Sequence, residues 1–193
     1  MSRSYRTQKE SIIARRRVTM LPRVIERPPA FGDIHPLAGR TVRCLFRRIP
    51  LEYLYGLARI ELRPRQTAAV GQPFGCYLRD EKIVILYSVP PSVWQFPGRL
   101  PADYRRSFEA RSATISQHGD HVRVTWPDEG GFMRLWYYAY VFTHELGHHY
   151  VEQYRAKNGR VGGRLFNKIV AEMHARRFTA QLFKRPRAAT QKA

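Results

Sequence analysis

Apolar and polar positions alternate in twos along much of the first two thirds of the chain, and a helical spacing takes over after residue 131. "ARIELRP", from Ala58 to Pro64, alternates as a half-buried strand does. "FGCYLRDEKIVILYS" predicts a hairpin: Phe74 to Arg79, a turn at Asp80 and Glu81, then Lys82 to Ser88. A second hairpin is predicted from "SATISQ" and "HVRVTWP", joined through His118, Gly119 and Asp120. In it Val122, Val124 and Trp126 fall on one face and Arg123 and Thr125 on the other. Four prolines between Val89 and Arg106 (Pro90, Pro91, Pro97, Pro101) predict an irregular segment there. Residues 38–48 predict a short helix stopped by Pro50. A long helix is expected from Phe132 to about Lys157, ended by Asn158-Gly159, and a second from Arg164 to about Lys184, ended by Pro186. Strands followed by two helices predict an α+β fold with a small, mostly antiparallel sheet packed on the helices.

The Pro-rich stretch "RPPAFGDIHPLAG" divides this pattern from what precedes it. The expected organisation is a basic, flexible N-terminal arm over 1–36, one domain over 37–186, and a basic tail over 187–193. A chain of 193 residues with 44% hydrophobic positions is enough for one domain with a real core. Two cysteines, Cys44 and Cys76, are too few for a disulfide framework, so buried thiols in a reducing compartment are expected. The start lacks the apolar core of a secretory leader. The aromatic run from Phe132 to Phe142 carries Arg134 and is about half the length of a membrane span. A cytoplasmic protein with no membrane span is expected.

Charge adds a partner class. The 34 Lys and Arg outnumber the 15 Asp and Glu, a net +19. Both ends are rich in this excess: residues 176–193 hold six basic side chains and no acid. Long-range attraction of this size favours nucleic acid, held through the basic termini, an anionic membrane or an acidic protein partner; no recognition motif accompanies the charge, and a merely solvated basic surface is the alternative.

The chemistry sits in "FTHELGHHY", residues 142–150. His144 and His148 are four apart and stack on one helix face, where two imidazoles can converge on one tetrahedral zinc. Glu145 then projects beside the metal as a general base, which makes this the HExxH pattern. A catalytic zinc needs a third protein ligand. Glu172 and His174 are the downstream candidates, and they sit roughly 200° apart on a helix, so only one can face the metal. Glu152 continues the same helix as the two histidines and cannot wrap around the ion. His149, roughly 100° from His148, is expected on the surface or behind the ligands. Trp136, Tyr137, Tyr140 and Phe142 are expected in the core.

"HELGHH" followed by "AEMHARRFTAQL" resembles the gluzincin class of zinc metallopeptidases, most closely the ImmA/IrrE-like and minigluzincin families. Glu172, Ala175, Phe178, Ala180 and Leu182 match the pattern of the second motif, and "GCYLRDEKIVILYS" resembles the hairpin that precedes the first. The resemblance implies a zincin-like fold, one zinc ion held by His144, His148 and Glu172, and Glu145 as the catalytic residue. It implies hydrolysis of peptide bonds in a protein substrate. The chain departs from these relatives in its N-terminal arm, in the hairpin 112–126 and in lacking an appended DNA-binding or sensor domain. The alternative is a nucleic-acid-associated protein of zincin fold, either a DNA-bound protease of the SprT/Spartan kind, for which His174 would be the ligand, or a binding module without catalysis. An extended substrate is expected to pair with a free sheet edge, with "HVRVTWP" the expected edge strand.

Overall fold

A computed structural model of the chain describes residues 21–66, 73–127, 131–158 and 173. The expected second helix, its Glu172 and His174, the basic tail and the first twenty residues lie outside the described residues. The architecture is α+β, built on two small sheets.

The first sheet has four strands: β1 (Arg23–Glu26), β2 (Arg59–Arg63), β3 (Gly75–Leu78) and β4 (Ile83–Tyr87), in the order β1-β2-β4-β3. β1 runs parallel to β2 and β2 parallel to β4; only β3 against β4 is antiparallel. The expectation of a mostly antiparallel sheet is corrected for this sheet. The cause is connectivity. Two short helices, α1 (Gly39–Leu45) and α2 (Leu51–Leu54), lie between β1 and β2 and supply the crossover that parallel neighbours need. β4 is "IVILY" with no polar interruption because it is interior to the sheet and buried at every position. In β2 the alternation is functional: Ile60 and Leu62 enter the main core, whereas Arg59, Glu61 and Arg63 face the other way.

Segment 21–36, expected to belong to a flexible arm, is instead folded onto this sheet. Leu21 and Val24 pack on the core, β1 pairs with β2, and Ile34 bridges Val89. Pro28 and Pro29 lie after the strand, so they punctuate it without interrupting it.

The second sheet, β5 (Val93–Pro97), β6 (Thr114–His118) and β7 (His121–Thr125), is fully antiparallel in the order β5-β7-β6. β5 and the helix α3 (Ala102–Glu109) occupy the segment expected to be irregular. The prolines sit where each element tolerates them: Pro97 closes an edge strand, and Pro101 caps the start of α3. Trp94, Val122, Val124, Trp126 and Phe108 are buried with Trp136 between this sheet and the helices. Rings of Phe108 and Trp136 lie 4.7 Å apart, and the Trp136 indole N–H donates to Ser107 Oγ at 3.0 Å.

The long helical stretch forms as expected, with one irregularity. α4 (Gly131–Trp136) passes through a π-helical turn at Tyr137–Phe142 into α5 (Thr143–Asn158). The buried Tyr137 hydroxyl sits 2.6 Å from the Phe74 carbonyl and 2.7 Å from that of Tyr87, pinning this turn to the open end of the β3–β4 hairpin. Among the described residues, no helix is long and apolar enough to cross a membrane.

Candidate metal and active site

The π turn delivers α5 to the sheet with its first two turns facing β3. His144 and His148 are half-buried, their rings perpendicular at 89° with centroids 4.6 Å apart. Their Nε2 atoms are 3.0 Å from each other. Two nitrogens bound at 2.0–2.1 Å to one tetrahedral ion stand about 3.3–3.4 Å apart. The pair therefore needs to open by only a few tenths of an ångström to fit zinc, and the fit is good.

Glu145 points from the same turn into the protein and is buried. Gly75 makes this possible. A β-carbon there would lie 2.9 Å from Val141 Cγ1, 3.0 Å from the Ile85 carbonyl and 3.2 Å from Glu145 Cγ. The missing side chain lets helix and strand approach closely, the usual meaning of glycine in a strand. Burial pushes the Glu145 carboxyl up to about 8, against the opposing effect of a hydrogen bond from the Tyr77 backbone N–H.

That hydrogen bond locates the free sheet edge. Tyr87 N–H donates to the Phe74 carbonyl, so in an antiparallel ladder Gly75 and Tyr77 form the pairs whose backbone groups point away from β4. β3 is the edge strand of its sheet, and this edge faces Glu145. The expected edge strand, "HVRVTWP", is β7, which has β5 on one side and β6 on the other. It has a neighbour on each side, whereas among the described residues β3 has one, β4.

His149 is fully buried, which removes the surface position from the two expected for it. Its Nε2–H donates to the Tyr55 carbonyl at 2.9 Å and its Nδ1 lies 3.1 Å from the Tyr77 hydroxyl. Burial holds its imidazole below the ordinary histidine value. The Tyr77 hydroxyl also reaches Glu152, whose carboxylate pairs with Arg79 at 3.1 Å. Tyr77 is thus held by its backbone from Glu145 and by its side chain from His149, one turn apart on α5. Glu152 is engaged with β3 and stands apart from the histidine pair.

Among the described residues, no third His, Cys, Asp or Glu joins His144 and His148 in a cluster. The aromatic expectations hold for Trp136, Tyr137 and Phe142, which are buried, but Tyr140 is exposed. Cys44 is exposed and Cys76 half-buried, so neither is the buried thiol expected. Tyr77 carries no motif and could not be singled out from sequence; Gly75, within a strand, is the one local sign of the close approach.

Set against known proteins, the chain matches no family model, no curated protein and no solved structure.

Proposed function

We propose that this protein is a zinc-dependent metalloendopeptidase of zincin-like fold, similar to the gluzincin class, that hydrolyses peptide bonds of a protein substrate. The observation that carries it is the juxtaposition of two imidazole nitrogens 3.0 Å apart with a buried carboxyl on the adjoining position and a free strand edge beside them. In this proposal His144 and His148 hold the ion, and Glu172 completes the set. When bound, zinc supplies an activated water and polarises the scissile carbonyl.

The chain's own residues do the rest. Glu145 has a proton affinity near neutrality, suited to taking a proton and returning it to a leaving amine. Gly75 and the Tyr77 carbonyl present outward backbone groups to which an extended substrate can add as a further strand, the Tyr77 N–H being held by Glu145. His149 and Tyr137 fix α5 to β3 at two heights, which keeps Glu145 at that edge.

The test is zinc content together with proteolysis. Wild type should bind one zinc per chain, Glu172→Ala should lose it and His174→Ala should keep it. Wild type should cleave an unstructured protein and Glu145→Gln should not. Zinc retained by Glu172→Ala and lost from His174→Ala would move the protein toward the SprT/Spartan kind; no zinc in wild type would end the proposal.

A second reading, nucleic-acid association, is favoured by the exposed arginines of α1 and its end. Arg40 and Arg43 share one face of α1, and Arg47 and Arg48 follow in the turn after it. Affinity for a DNA duplex should then fall steeply with salt, and replacing Arg40, Arg43 and Arg47 should lower the salt slope by about three. Binding with no salt dependence would leave these arginines as a solvated face.

A further inference from the structure

Three aromatic rings are left partly uncovered at the boundary of the site. Tyr104 on α3 is 43% exposed, Tyr140 in the π turn is 42% exposed, and Phe74 is half-buried. All three surround Trp136, which is itself 1% exposed: centroid distances to it are 6.4 Å for Tyr104, 5.9 Å for Tyr140 and 5.2 Å for Phe74. Phe74 and Tyr104 are 6.5 Å from each other. A single exposed ring needs no account, but three partly exposed rings packed on one buried indole group apolar area around the same point.

Its position says what it serves. Phe74 directly precedes Gly75, the glycine at which a β-carbon would meet Glu145. Tyr140 lies one turn before His144, within about 40° of it around the helix axis. The aromatic group therefore adjoins the edge strand β3 through Phe74 and the start of α5 through Tyr140. An extended chain following β3 directs alternate side chains to one side, and one of these meets the rings.

We propose that Phe74, Tyr104 and Tyr140 form a specificity surface that receives one bulky apolar side chain, aromatic or long aliphatic, of an extended polypeptide lying along the edge of β3. The two phenol hydroxyls give the surface a wet rim around an apolar floor, the character of aromatic recognition surfaces. For cleavage this rests on the metallopeptidase proposal; for binding it does not.

The experiment separates the two. Short unstructured fluorescent peptides, identical except for one position carrying Phe, Leu, Ala or Asp, are titrated by anisotropy into full-length, zinc-supplemented Glu145→Gln protein. Phe and Leu peptides should bind about tenfold tighter than Ala and Asp peptides. Adding Tyr140→Ser or Tyr104→Ser should bring that ratio toward one, whereas Tyr140→Phe, which keeps the ring, should preserve it. Wild-type digests of an unstructured protein, mapped by mass spectrometry, should show the same preference at one fixed distance from the cut bond. A Phe-to-Ala ratio near one in the parent protein, or a ratio indifferent to both Tyr→Ser changes, overturns the specificity surface. Cleavage without side-chain preference overturns it too and leaves the peptidase standing. A Tyr-dependent binding preference in a protein that cleaves nothing supports the surface and removes the peptidase.

Discussion

Glu61 and Glu145 are both buried, on opposite faces of the same four-stranded sheet, and the molecule treats them in opposite ways. Glu61 lies between Arg59 and Arg63 on its own strand, with the Arg63 guanidinium 2.6 Å from Oε2 and Arg59 on Oε1. Burial raises its carboxyl, but the hydrogen bonds and charges of the two arginines outweigh that and hold it below the ordinary carboxylate value. Glu145 has burial without a cation: one backbone N–H faces it, and its carboxyl rises to about 8. A carboxylate kept charged by paired guanidiniums is a structural tie. One left nearly neutral beside two converging imidazoles has the environment that the proposed proton transfer needs.

The largest expected effect breaks the comparison at its reactive end. Glu145→Gln should lower kcat for proteolysis by roughly a hundredfold to ten thousandfold with zinc retained, while Glu61→Gln in the folded protein should leave kcat within a factor of about two. Equal losses in both would make Glu145 one more structural carboxylate. The same substitution has a stability signature in metal-free protein. A carboxyl whose folded pKa is raised is bound more tightly to its proton when folded, so stability falls as pH rises from about 4.5 to about 8. That slope, at most about 1.4 kcal/mol per pH unit, should be absent from metal-free Glu145→Gln.

Why one of these glutamates could be read from sequence and the other could not is a matter of range. His144, Glu145 and His148 are spaced by a helix turn, so their relation is local and the motif shows it. Glu61 reads as one polar position in an alternating strand, and only the fold buries it. Strands β2, β3, β4, β6 and β7 were visible because two-residue alternation or an unbroken apolar run is local as well. Alternation reports faces and not neighbours, which is why "HVRVTWP" passed for an edge although it is the middle strand of its sheet. The four prolines concealed β5 and α3 because the sequence does not distinguish a proline inside an element from one at its end. His149 was placed by its angle on the helix, which gives direction but not what packs there; Tyr55 and Tyr77 arrive from distant segments.

A smaller effect sharpens the comparison by moving the reactive glutamate without changing it. Gly75→Ala puts a methyl group 3.0 Å from the Ile85 carbonyl, which the sheet holds in place, and 2.9 Å from Val141. Strand and helix must separate, at a cost of about 1–3 kcal/mol in urea unfolding of metal-free protein. Zinc affinity should change less than stability, since the histidine pair lies on α5 and moves with it. A fully stable Gly75→Ala protein would mean that strand and helix leave room for a β-carbon at Gly75.

The smallest effect lies at the structural end. Glu61→Gln keeps the shape and loses the charge, leaving two guanidiniums without their shared carboxylate. Arg59 and Arg63 have 36% and 26% of their side chains exposed, so water takes over much of what Glu61 supplied, and the loss should be about 0.5–1.5 kcal/mol near pH 7. The pH dependence has the opposite sign to that of Glu145. A carboxyl held below its unfolded value of 4.5 contributes stability above that pH and loses it as pH falls through the folded value. Wild type and Glu61→Gln should therefore differ most at neutral pH and converge as the solution is acidified through the folded value. Urea midpoints measured across that range decide it: a difference that grows on acidification would mean that burial, and not the arginine pair, governs Glu61.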